Sequence, residues 1–449
     1  MINSKIKNIS KFIKNNFQNS LLRNMMIVGV VTLFIKIIAF YKETIIAANF
    51  GLSELLDTFF IAILVPSFIQ SVFLNSITSI FIPNYIIEIK NGGNIPGFQS
   101  VIFIITIGIS GFSVLIAYLS TDFFLDLIYP GHTDEYYQLI KDQLFVILPC
   151  LFLWGISSVF CGLLEISSRF FISTLYAIFP LVTMLFFLFF LKECLGNMVL
   201  AYGTLAGSFI GLIFVLIMTV KYKDLSIGRP TINQNVLLML RQLPPKIASS
   251  FLSAMNSFID QFFAAQLIIG SIAALKYGIK IPAFVVTIVI TAIGSVILPH
   301  FSKLVNENLN DAYRHLFKIL KWVVSISAIL VLITMFMSDY IIELLFERKE
   351  FTHDDTLKVS LIQKITLIYV PFYLSTLIIV KFLTSINKNK FMAWVSLLNL
   401  FVNIVLNIIL MKYYGVYGLA LSTTLVIIIS SCFYFGYTYK QYKLLARLN

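Results

Sequence analysis

FGLSELLDTFFIAILVPSFIQSVFLNSITSIFIPNY, residues 50–85, returns in degenerate form about 216 residues later as IKIPAFVVTIVITAIGSVILPHF, residues 279–301. In each copy two prolines stand 17 residues apart, Pro66 and Pro83 in the first, Pro282 and Pro299 in the second. Phe68 matches Phe284, and Ser79 matches Ser295. An apolar span with a helix breaker toward each end, repeated at one spacing in both halves, predicts a membrane protein of two related lobes. Lobes of this kind commonly bracket a transport pathway.

Composition fixes the solvent. Hydrophobic residues make up 59% of the 449 positions and charged residues 12%, with a mean hydropathy of +0.92. No soluble domain has that balance, and the chain reads as an all-α polytopic membrane protein. A 20-residue window finds twelve apolar spans, near 25–48, 58–86, 99–120, 140–164, 170–191, 198–220, 244–268, 274–300, 317–337, 359–384, 391–411 and 415–438. The runs are too long for barrel strands and show no strict alternation.

Lysine and arginine set the orientation, because cytoplasmic loops keep positive charge. Basic residues gather in the amino-terminal tail, in the loops after spans 6, 8 and 10, and in the carboxy-terminal tail. Two of the opposite loops are acidic, with Asp122, Asp126, Asp134 and Glu135 in one and Glu343, Glu347, Glu350, Asp354 and Asp355 in the other. The expectation is a multi-pass protein of a bacterial cytoplasmic membrane with both termini inside. Its parts are a tail at 1–24, an N-lobe of spans 1–6 at 25–220, a basic linker at 221–243, a C-lobe of spans 7–12 at 244–438, and a tail at 439–449. Both repeats lie in even-numbered spans, so the six-helix lobes are expected to share one orientation about a pseudo-twofold axis along the membrane normal. The lysine-rich start lacks a cleavage site and reads as a retained tail. The net charge of +12 follows from the positive-inside bias and attraction to lipid headgroups, with no call for nucleic acid.

Four scattered cysteines and four scattered histidines offer no metal-ligand spacing, no catalytic residue is apparent, and no nucleotide loop or soluble catalytic domain suggests an enzyme. Charges within the spans are more informative, since burying one at the bilayer centre costs about 3 kcal/mol even on the mild insertion scale. The first span holds Lys36 and Lys42 with Glu43; the second begins at Asp57; Asp260 lies in the seventh; Lys276 and Lys280 open the eighth. Lys42, Lys246 and Lys276 can snorkel to the interface. Lys36 and Lys280 sit deeper, and lysines in a central cavity favour an anionic substrate such as a diphosphate. In span 11, Asn399, Asn403 and Asn407 repeat every four residues along one face. Such amides either glue helices together or join Asp260 and Thr423 as oxygen ligands for a hard monovalent cation.

The segments FIKIIAFYKETIIAANFG (34–51), LLDTFFIAILVPSFIQSVF (55–73), IFIPNY (80–85), KYGIKIPAF (276–284), ILPHFSKL (297–304), NIVLN (403–407) and YGLALSTT (417–424) resemble MurJ/MviN-type lipid II flippases. That family lies in a superfamily shared with polysaccharide flippases and MATE exporters. The resemblance implies a V-shaped, two-lobed transporter, and the chain is expected to work as a monomer. It would move an undecaprenyl-diphosphate-linked oligosaccharide, lipid II first among them, by alternating access. Lys36, Lys42 and Lys280 fall where the family has functional basic residues, usually arginine, and Asp57 matches its first-lobe aspartate. Asp260, Asn403, Asn407 and Thr423 fall where some members resemble a sodium site, with Asn407 in place of a second carboxylate. Gln70 stands where a basic residue is frequent, and Asn75 and Ser76 replace a Glu-Gly pair. Many relatives resemble a fourteen-span design, against twelve here. An O-antigen or capsule repeat-unit flippase is therefore the alternative. A MATE-like small-molecule exporter is a more distant one, because lysines do not suit cationic drugs.

Overall fold

The computed structural model describes residues 20–128, 132–386 and 388–448, so most of the expected amino-terminal tail lies outside the described residues. Among those residues the regular structure is helical apart from one isolated bridge between Arg348 and Phe351. Apolar surroundings force this outcome, because every backbone N–H and C=O must find its partner within the segment.

In chain order the helices are α1 Ser20–Phe50, α2 Glu54–Lys90, α3 Ile95–Leu119, α4 Thr121–Ile128, α5 Asp134–Ile147, α6 Cys150–Ile166, α7 Phe170–Leu175, α8 Ile178–Phe186 and α9 Lys192–Leu195. They continue as α10 Val199–Lys221, α11 Gln234–Ala264, α12 Ser271–Glu307, α13 Leu309–Phe336, α14 Ser338–Phe346, α15 His353–Leu367, α16 Val370–Ser385 and α17 Asn389–Leu448. Each of the twelve expected spans falls on helix. By length and composition, six stretches among the described residues suit a membrane crossing, and a seventh does if the bent α15–α16 pair is one span. Two of the six, Phe170–Lys221 and Lys390–Leu445, run to 52 and 56 residues, enough for two crossings of about 20 residues each. Their breaks are glycines with positive φ, Gly196 at +49° and Gly415 at +55°.

The repeat prolines lie inside helices and do not end them. Pro66 and Pro83 are within α2, and Pro282 and Pro299 are within α12. Proline removes one ladder hydrogen bond and crowds the preceding turn, and a membrane helix tolerates this by local adjustment of its winding. α2 makes such an adjustment one turn after Pro66, where Gln70–Leu74 widens into a π turn.

The helices form two compact units. The first holds the residues up to Ile46, Ala62–Phe123 and Tyr137–Phe251. In it α6 packs against α2, α3 and α10, and α8 packs against α10. Small residues permit the last approach, since a Cβ on Gly207 would lie 2.7 Å from Pro180 Cα. The second unit holds Ala47–Ile61, Phe124–Tyr136 and Leu252–Asn449. There α12 packs on α15 and α16, and α16 packs on α13 and α17. Phe301, Leu316, Phe382 and Leu383 fill its core, with Tyr313 and Phe382 edge to face at 4.8 Å.

A polar capped cluster within the second unit

Span 7 and the last two spans contribute one carboxylate cluster to the second unit. Asp260 on α11 is half-buried, while Asn403 and Asn407 on α17 are buried. The Asn403 amide donates to Asp260 Oδ1 at 3.0 Å and the Asn407 amide donates to the same oxygen at 2.9 Å. Thr423 Oγ1 donates to Asp260 Oδ2 at 3.2 Å. The i, i+4 spacing of the two asparagines brings both to one point, and Gly415 breaks α17 between them and Thr423. Asn399, one turn earlier on the same stripe, donates to Ser430 Oγ at 2.9 Å.

The structure thus brings together all four residues that the sequence placed in a cation set. Satisfaction is incomplete, because buried Asn407 Oδ1 accepts no hydrogen bond from the described residues. A cavity of about 320 Å³ opens beside Asp260, lined in part by Asn256, Tyr373, Thr376 and Ser430. Those four were missed from sequence. Only Asn256 carried a readable signal, standing four residues before Asp260 on one helix face. No group of three or more His, Cys, Asp or Glu suited to a metal ion occurs among the described residues.

Asp57 works differently. It is buried on the first turn of α2, in the segment that belongs to the second unit. Its Oδ2 accepts from the Gly270 N–H at 2.7 Å and its Oδ1 from the Ala273 N–H at 2.9 Å. These are free donors at the start of α12, so Asp57 caps that helix from 213 residues away in the chain. Gly270 has φ of +87°, and Lys276, six residues further on, rests its ammonium 4.0 Å from the centre of the Phe60 ring. Next to the cap, Glu350 N–H donates to Ala48 O at 3.2 Å.

The lysines are distributed between the units. Lys36 and Lys42 lie on the part of α1 in the first unit, and Lys280 lies on α12 in the second. Lys36 is exposed and Lys280 half-buried. Lys42 pairs with its neighbour Glu43, Nζ to Oε1 at 2.9 Å, which offsets much of its charge.

Comparison with known proteins agrees with the residue pattern. A family described as "Lipid II flippase MurJ" matches residues 46–448. A "Probable lipid II flippase MurJ" of Buchnera aphidicola subsp. Acyrthosiphon pisum is 27% identical over 429 residues, covering 90% of this chain and 81% of its own length. One of Helicobacter pylori strain J99 is 26% identical over 411 residues, covering 86% of this chain and 87% of its own length. Among solved structures, one described as "Lipid II flippase MurJ, inward closed conformation" has a TM-score of 0.75 at 23% identity, covering 91% of this chain and 86% of that one. An inward-facing multidrug resistance MATE family transporter of the MOP superfamily gives 0.72 at 12% identity, covering 93% and 99%. The two structural likenesses speak for the fold, and the match over residues 46–448 decides the relationship: this multi-pass membrane chain belongs to the lipid II flippase MurJ family.

Proposed function

We propose that this protein translocates lipid II, an undecaprenyl-diphosphate-linked oligosaccharide, across the bacterial cytoplasmic membrane. The family match across residues 46–448 carries the reading. Spans 1–6 and 7–12 act as two lobes, both termini are cytoplasmic, and the working unit is a monomer. Lys36 and Lys280 supply the positive charge that the diphosphate meets; Lys42, already paired with Glu43, contributes less. Lysine offers a point charge and not the bidentate fork of arginine, so the grip on the diphosphate is mainly electrostatic. Asp57 adds a fixed end to α12, the helix that carries Lys280, and so positions that lysine. The prenyl tail stays in lipid while the headgroup crosses.

A sodium ion is the fitting partner for the Asp260 cluster. Hard monovalent cations take oxygen ligands, and Asp260, Asn403, Asn407 and Thr423 offer only such groups once the amides turn their oxygens inward. Buried Asn407 Oδ1 has no donor among the described residues, so no hydrogen bond at that oxygen opposes turning the amide. Sodium held there neutralises a carboxylate in the helix expected to form the seventh span.

The test is complementation of a strain depleted of its lipid II flippase. Wild type restores growth, while Lys36→Ala and Lys280→Ala fail at normal membrane abundance. Full rescue by both variants would remove the lysines from substrate binding.

A further inference from the structure

The carboxylate cluster has a neighbour that its hydrogen bonds leave out. Asn256 stands one turn before Asp260 on α11, about 40° away around the helix, and lines the same cavity. Its Oδ1 is buried and accepts no hydrogen bond from the described residues. Asn407 Oδ1, on the partner helix, is in the same condition. The Asn256 oxygen and the Asp260 carboxylate line one cavity whose wall holds no positive group, and a buried acceptor left without a partner is costly. The cavity measures about 320 Å³, room for roughly ten waters at about 30 Å³ each, far more than a bare cation fills. Asn399, Thr376 and Ser430 give its wall further polar groups.

Taking the cation reading of the Asp260 cluster as its basis, we propose that Asn256 is an additional oxygen ligand of that cation. The ion sits in the cavity between Asn256 and Asp260, with part of its water shell retained there. A single carboxylate with several neutral oxygens suits a monovalent ion and undercharges the site for a divalent one.

Thermal unfolding of the purified full chain in detergent tests this, with sodium chloride titrated against choline chloride at constant ionic strength. Wild type gains stability with sodium, and Asp260→Asn loses that response. Asn256→Leu raises the half-saturating sodium concentration about tenfold or more, the loss expected for one oxygen ligand in a buried site. Asn256→Asp, which adds a second negative ligand, shifts it the opposite way, and this variant decides the matter if the leucine variant does not fold. Sodium dependence in wild type with unchanged half-saturation in both Asn256 variants would overturn the ligand assignment and leave the Asp260 reading standing. A wild type indifferent to sodium would overturn both.

Discussion

At Gly51 the backbone takes φ of +56°, and a Cβ placed there would lie 2.4 Å from the Glu350 carbonyl oxygen. Two demands therefore meet on one residue, a left-handed conformation and a close backbone approach. Gly51→Ala is expected to cost about 1–2 kcal/mol from conformation alone, with the clash adding to it. Gly29→Ala, where nothing lies within 4 Å of the added methyl, is the control and should be neutral or slightly stabilising. Comparison of the two in thermal unfolding checks the claim, and equal behaviour would contradict it. At this scale the sequence was readable where spacing is short. Asn403 and Asn407 announced their shared face, whereas the cap from Asp57 to Gly270 spans 213 residues and no local pattern encodes it.

The element most changed by the structure is the basic linker expected at 221–243, whose residues from Gln234 on already belong to α11. Side chains of α2 and α3 stitch its earlier part down within the first unit. Gln99 accepts from the Ser226 N–H at 2.7 Å and donates to Asp224 O at 2.9 Å, while Ser100 donates to Gly228 O at 2.7 Å. Buried Glu88 accepts from Asn233 at 2.7 Å and from Asn235 at 2.8 Å. Arg169 pairs with Asp224 at 3.5 Å and covers the Tyr222 ring at 3.9 Å. Gln99→Ala leaves Asp224 O and the Ser226 N–H without this partner, a loss of about 2–3 kcal/mol in a buried site. Trypsin should then cut at Lys221 and Lys223 at least several-fold faster than in wild type; an unchanged cleavage rate would mean that the linker is held by other contacts.

The short helix α14 shows a similar tie on an acidic loop. Lys364 on α15 donates to both oxygens of Asp339 at 2.7 Å, and this hydrogen bonding holds the Asp339 carboxyl below its ordinary value. A lowered folded-state pKa means that the unfolded chain binds the proton more readily. The tie is then fully present above the ordinary carboxylate value and is lost as pH falls through the lowered one. Unfolding of wild type and Asp339→Asn should therefore differ at neutral pH and converge in strong acid. The gap is small because both side chains reach solvent. A gap that grows on acidification would reverse the assignment.

Across the whole molecule the all-helical, multi-pass character was legible because a bilayer asks for about 20 apolar residues per crossing, a demand composition cannot hide. The grouping into compact units was less so. Residues 47–61 end one span and begin the next, yet they pack with α12 and with the turn at Glu350 in the second unit. The contacts that take them there, Asp57 to an α12 terminus and Ala48 O to Glu350 N–H, involve groups that hydropathy does not weigh. Gln70, Asn75 and Ser76, where the chain departs from the pattern it resembles, lie in or beside the π turn of α2. Ser76 is buried and hydrogen-bonds Ser250 at 2.8 Å, so that departure is built into helix packing within the first unit.

The most direct measurement is paired rescue of two strains by this chain, one depleted of its lipid II flippase and one lacking its O-antigen repeat-unit flippase. Growth of the first strain is expected, with no restoration of surface polysaccharide in the second. Rescue of the second alone would contradict lipid II as the cargo and assign the protein to polysaccharide export.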